Sequence, residues 1–293
     1  MKQNMVKNKN QIPIEDRSLI TYLKPAKGLA ALNLKDLWDY RELIYFLTWR
    51  DLKVRYKQTL LGFTWVILQP VINMVVFTIL FGQLLKVPTD GIPYPIFSFA
   101  ALLPWLYFAG SLSRSSTTLV GSANLISKVY FPRMVIPIAG VLSGIVDFLV
   151  SLIVLIGMML FYKIIPTWNL LLLPVFLFLA MLTALGFGFW FSALNVRFRD
   201  VNHLVPFIIE IWKYATPVIY GATLIPERFR FLLGLNPMTG VVEGFRWAIL
   251  GSKYVESFNP GPLFIISISI TLVVLISGVI FFRNTERTFA DII

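Results

Sequence analysis

Four groups of residues in this sequence have types and spacings that could do chemistry. Pro206, Glu210, Lys213 and Pro217 fall at i, i+4, i+7 and i+11, so two helix-distorting prolines bracket an acid and a base on one helix face. Charge in apolar surroundings turns toward water or a bundle interior, here either as a substrate or gating group or as a mutually neutralised packing pair. Asp147, alone in a long apolar run, poses the same choice. Ser111, Ser115, Thr118 and Ser122 repeat the i, i+4, i+7, i+11 spacing. Their shared face is either the hydroxyl wall of a conduit or a row of hydroxyls bonded to the preceding turn and to neighbouring helices. Arg50, Lys53, Arg55 and Lys57 form a cationic cluster of the kind that gathers anions at headgroup level, or that serves topology and lipid contact alone.

Much other chemistry is missing from the sequence. There is no cysteine, hence no disulfide or thiolate metal site, and the single histidine, His203, makes a zinc centre untenable. No Gly-Lys pair occurs, so no P-loop cradles a nucleotide; GxSxG, HExxH and paired-Asp motifs are absent too. If ATP powers this protein, another chain hydrolyses it. A membrane-embedded enzyme of lipid-linked glycan synthesis would need carboxylates clustered at one membrane face, and here they are scattered. An ion-coupled carrier would usually show internal repeats, and none is found.

The elements that must position these groups are membrane helices. The 293 residues are 57% hydrophobic and 14% charged, against about 25% charged in soluble domains. Mean hydropathy is +0.75. From Arg50 the charged RDLKVRYKQTLLG runs without a turn signal into the uncharged Phe63–Leu85, long enough to cross the hydrocarbon core. The net charge of +11 is therefore read as membrane orientation, not nucleic-acid binding. Residues 38–61 are expected to form an amphipathic interface helix with two apolar stripes, Tyr45, Trp49, Leu52 and Tyr56 on one side and Leu43, Leu47 and Val54 nearly opposite. Two apolar sides suit contact with the bundle and with a second protein; a lipid-surface anchor with snorkelling lysines is the other reading.

An all-α architecture of six spans follows over 62–283, between a polar arm (1–37) and a cytoplasmic tail (284–293). The spans are 63–85, a second from near Ile96, 134–161, 170–194, about 203–224, and 262–282. Residues 124–133, ended by Pro132, are too short and charged to span and are placed in the cytoplasm. Between spans five and six, Asn236 is the expected N-cap and Pro237 the first residue of a helix too short to cross, giving a re-entrant or interfacial pair over 225–250. Of 26 Lys and Arg, 19 fall in the segments so placed in the cytoplasm, which puts both termini inside.

RDLKVRYKQTLLGFTWVILQP, NLISKVYFPRMVIP, NVRFRDVNH, TPVIY and LNPM followed by Glu243 and Arg246 together resemble the permease subunit of bacterial ABC transporters that export O-antigen, teichoic acid and related polysaccharides. The likeness runs from about Leu43 to the last span; residues 1–37 fall outside it. It implies a homodimer in the inner membrane with two nucleotide-binding subunits, which would hold the ATP and Mg, moving an undecaprenyl-diphosphate-linked glycan outward. An exporter of a different amphipathic substrate would share these features. It further implies that 38–58 and 124–133 dock on the ATPase, the latter through Asn124, Leu125, Lys128, Val129, Tyr130 and Arg133, with Leu125, Ile126, Val129, Tyr130 and Phe131 expected exposed. The 225–250 helices, with Asn236, Pro237, Glu243 and Arg246, would be the external gate. Arg50, Lys53, Arg55 and Lys57 would gather the lipid diphosphate. Trp65, Trp105, Tyr107, Phe108 and Trp190, with Ser111, Ser115, Thr118, Glu210 and Lys213, are the candidates for the conduit; each aromatic is equally suited to core or interface packing.

Overall fold

A computed structural model describes residues 34–57, 64–89, 91–251 and 262–289. The expected arm therefore lies outside them up to residue 33, as do 58–63, 252–261 and the last four residues of the tail. Every regular element among the described residues is helical. Five stretches are long and apolar enough to cross a membrane, Thr64–Leu84, Tyr94–Gly121, Val135–Phe161, Trp168–Arg197 and Phe264–Glu286. The chain is a multi-pass membrane protein.

Helix α1 (Leu34–Asp39) and α2 (Arg41–Lys57) precede the first span. The inward face of α2 is carried by Leu43, Ile44 and Leu47, packed in one cluster with α6 (Val135–Leu142), and Leu52 is buried as well. This shifts two residues from the expected stripes: Leu52 is buried, whereas Val54 is exposed with Tyr45, Phe46 and Trp49. Leu43 and Leu47 keep their shared stripe against the bundle, but Val54, on the same stripe a turn and more further on, is exposed near the end of the helix. One apolar face thus meets the bundle and the other has no partner in this chain's described residues.

Span one is α3 (Thr64–Phe77), continued by a π-helical stretch, Thr78–Leu84. Helix α4 (Tyr94–Gly121) is one unbroken helix in spite of Pro104 and is the axle of the bundle. In its most apolar window 78% of residues are buried inside the protein, against 11% in span one. After α5 (Ala123–Lys128), span three is two helices, α6 and α7 (Gly144–Phe161), interrupted at Ser143. The Ser143 hydroxyl donates to the Gly140 carbonyl at 2.9 Å, a side-chain intrusion of the kind that bends helices. Helix α8 (Leu173–Arg197) enters through a short 3-10 turn.

The expected fifth span is only 15 residues of helix, α9 (Val201–Ala215). Thr216 is extended, φ −96 and ψ 142, as the residue before a proline prefers, and Pro217 ends the helix. Then come α10 (Glu227–Gly234), α11 (Pro237–Leu250) and α12 (Pro262–Glu286).

The hydroxyl row of α4 points into protein. Ser111 and Ser115 are fully buried, and Ser115 packs on Gly188 of α8 so closely that no Cβ would fit there. Small residues bring apolar helices together where hydrophobicity gives no drive between them. Helices α8 and α12 meet in the same way: a Cβ on Gly186 would lie 2.9 Å from the Leu275 amide nitrogen, which is backbone and cannot give. Thr183 and Thr271 share a 3.1 Å hydrogen bond along this seam. Gly186→Val is expected to push the two helices apart and destabilise the chain by about 1–3 kcal/mol. A thermal melt in detergent unchanged from the parent would show the seam to be compliant.

Candidate functional site

A cleft of about 470 Å³ opens between α2, α3, α4, α7 and α9. Its polar wall is built around Asp147, the isolated acid of span three. Arg55, from the last turn of α2, reaches Asp147 at 2.6 Å and the Ser143 hydroxyl at 3.1 Å. Tyr56 donates to the other oxygen of Asp147. Burial, then the Asp147 carboxylate, push the Tyr56 hydroxyl up to about 12, so it stays protonated and remains a donor at any physiological pH. Arg114 approaches the same carboxylate at 3.6 Å and also donates to Gly140 O at 3.2 Å and Ser111 Oγ at 3.2 Å. One carboxylate therefore faces two guanidinium groups.

Across the cleft, Lys213 and Glu210 pair at 2.6 Å, joining the lining as the i, i+3 spacing predicts. Glu210 is 65% exposed and Lys213 17%, so the lysine points in and the acid faces outward. Counting charges on the wall, Arg55, Arg114 and Lys213 oppose Asp147 and Glu210, an excess of one cation. Trp65, Gln69 and Asn73 of span one complete the polar rim, with Trp105 and Tyr107 behind them. Such a wall holds no nucleophile with a base beside it; what it can do is receive an anionic or hydroxyl-rich group and offer one aromatic face, Trp65, half exposed at 53%.

The structure gathers seven of the sequence candidates into this cleft: Arg55, Trp65, Trp105, Tyr107, Asp147, Glu210 and Lys213. Phe108 lies outside its lining, its ring 5.1 Å from that of Trp212. Trp190 stacks on Phe281 at 4.1 Å between α8 and α12, and Thr118 bonds back to the Ser115 carbonyl. Arg50 pairs with its neighbour Asp51 at 2.8 Å. Lys53 lies over the Trp49 ring, and both Lys53 and Lys57 are exposed. Arg114 was missed as a site residue, although a cation in the middle of SLSRSSTT, inside a membrane helix, is itself a signal.

A second polar centre lies at the end of α9. Arg246 and Glu243, both fully buried, pair at 3.0 Å. The Arg246 guanidinium donates to the carbonyls of Pro217 at 2.5 Å, Val218 at 2.6 Å, Tyr220 at 2.7 Å and Phe97 at 3.3 Å, while Glu243 accepts from the Ala222 amide at 3.2 Å. Asn236 caps α11 as expected, accepting from Met238 N, and also ties Trp212 and Thr216 of the α9 end to the start of α11. Pro237 is the first residue of α11 and is buried.

On the 124–133 segment, Val129 and Tyr130 are 53% and 71% exposed and Asn124 and Lys128 are also exposed. Ile126 and Phe131 are not, contrary to expectation: at 6% and 4% they anchor the segment to the bundle. A six-residue helix has an inward face, and charge content alone cannot show which residues take it.

The profile of the ABC-2 type transporter family matches residues 42–250. The chain belongs to that family. This ABC-2 type transporter chain is 30% identical over 261 residues to an O-antigen export system permease protein of Myxococcus xanthus, covering 88% of this chain and 98% of that one. A Klebsiella pneumoniae protein of the same description is 30% identical over 269 residues, 89% and 97% of the two chains. A polysialic acid transport protein of Escherichia coli is 23% identical over 252 residues, 81% of this ABC-2 type chain and 91% of its own.

Proposed function

We propose that this chain is the membrane-spanning permease of an ABC exporter for a lipid-linked polysaccharide in the bacterial inner membrane. The observation that carries the reading is the end-to-end match to O-antigen export permeases within the ABC-2 type family. Two copies of the chain pair with two ATPase subunits, which bind ATP and Mg; this chain hydrolyses nothing. The carrier is undecaprenyl diphosphate, and both termini are cytoplasmic.

That orientation needs an even number of crossings, and α9 with residues 216–224 supplies the sixth. Irregular backbone is tolerated at membrane depth only where protein satisfies it. Arg246 meets the carbonyls of residues 217, 218 and 220, which suits that placement. Helices α10 and α11 then form the external re-entrant pair and gate, and the Asp147 cleft receives the substrate from the cytoplasmic side. Lys53 and Lys57, which have no ion-pair partner among the described residues, gather the diphosphate at the cleft mouth together with Arg50 and Arg55.

The test is reconstitution. Vesicles holding this chain and its ATPase should move the lipid-linked glycan in an ATP-dependent manner, and vesicles holding the chain alone should neither hydrolyse ATP nor move it. Lys53→Glu with Lys57→Glu should lower export at least about thirtyfold with insertion intact, since each headgroup-level charge is worth about 1 kcal/mol and two are lost. Export at the parent rate in that variant would return these lysines to a purely topological role.

A further inference from the structure

The end of the last helix is tied to the 124–133 segment. Glu286, the final residue of α12, accepts the Arg133 backbone amide at 2.9 Å, and its own carbonyl accepts from the Arg133 guanidinium. Arg283, one turn earlier, lies 3.9 Å from the same carboxylate. Three residues beyond the helix, Phe289 is fully buried against Phe282 in the cluster that also holds Ile126 and Phe131. The segment therefore rests on the last helix as well as on span three.

At its far end α12 holds the α10–α11 corner. Ser267 donates to the carbonyls of Gly234 and Asn236, both at 3.4 Å, and Gly240 of α11 sits so close that a Cβ there would be 2.8 Å from Ser267 Cβ. From Ser267 to Glu286 the helix is continuous and free of proline, a rod of about 29 Å at 1.5 Å per residue. Span three also leaves this segment, and it divides into α6 and α7 at Ser143, where the backbone stays helical. Helix α12 meets the segment at Glu286 and the α10–α11 corner at Ser267 within one continuous element.

We propose that α12 is the strut that carries motion of the 124–133 segment to the α10–α11 corner, with Glu286 the positioning residue that attaches its cytoplasmic end. The proposal rests on the reading of 124–133 as the ATPase contact. It is tested in the assembled complex, in membranes, with the cognate ATPase. Glu286→Ala should leave the ATPase bound and hydrolysing while ATP-driven export falls about tenfold. Because the chain has no cysteine, Arg133→Cys with Glu286→Cys can be bridged by a short bifunctional maleimide, with bridging verified by mass. The unbridged pair should be as deficient as Glu286→Ala, and bridging should restore export, which a loss of folding could not do. Parent-rate export by Glu286→Ala, or a bridged chain no better than the unbridged one, would overturn the strut. Failure of the docking reading shows differently, as an ATPase that stays bound when the exposed face of the segment itself carries charge.

Discussion

Val129→Asp combined with Tyr130→Asp is expected to strip the ATPase subunit from the complex while the membrane fold persists. Both side chains stand out from the bundle, so the fold loses little: surface substitutions usually stay within about 0.5 kcal/mol. An apolar pair on a short polar turn has no use in this chain's own packing and calls for cover by a partner. Two carboxylates driven into that contact would each be desolvated without a counter-charge, at a cost of about 2–5 kcal/mol apiece. That is at least a thirtyfold loss of affinity for one of them alone. Co-purification of the ATPase and glycan-dependent ATP turnover both read it. If pull-down, turnover and export all survived, the docking role would move to the outward face of α2, where Tyr45, Phe46, Trp49 and Val54 are exposed.

Arg246→Ala should be the most damaging single change to the fold. The guanidinium is wholly buried and serves five acceptors, three of them backbone carbonyls of the α9 break, one the Phe97 carbonyl of α4, and one Glu243. Its loss breaks the buried pair with Glu243, and removing one partner of such a pair costs about 3–5 kcal/mol. The stranded carbonyls add about 1–3 kcal/mol each where no water replaces the donor. The sum rivals the whole stability of a domain, roughly 5–15 kcal/mol, so the variant should fail to accumulate in membranes. Arg246→Lys should recover little, because an ammonium has three donors on one atom and cannot fan out to carbonyls on both sides of a planar fork. Glu243→Gln, which keeps an acceptor for the Ala222 amide, should be milder. Protease protection of inserted chain and melts in detergent measure all three. An Arg246→Ala chain as abundant and as heat-stable as its parent would mean the break is held by packing alone.

Breaks and ends of helices were legible locally. Asn236 and Pro237 start α11, Pro132 closes the 124–133 segment, and the uncharged run from 63 to 85 places span one within a residue, whereas Pro217 was read as a distortion within a span reaching about 224 and in fact ends α9. The division of span three was not legible, because Ser143 reads as one more small residue in an apolar helix and its bond to Gly140 O shows only in the structure.

The sequence by itself determined the class of protein, the position of nearly every helix and the isolation of its membrane-embedded charges. In lipid each segment must satisfy its own backbone, so local pattern and length are decisive. Which helix faces what was left to the tertiary structure. A leucine is as comfortable against lipid tails as against protein, so α3 and α4 are similarly apolar although few residues of the first span are buried inside the protein and most of α4 is. The partners of the charges were decided there too: Asp147 with Arg55 and Arg114, Arg246 with the carbonyls beyond Pro217, Glu286 with Arg133. Each joins residues 26 to 153 positions apart, and a charge at membrane depth signals only that it needs a partner; the packing of the helices selects which one.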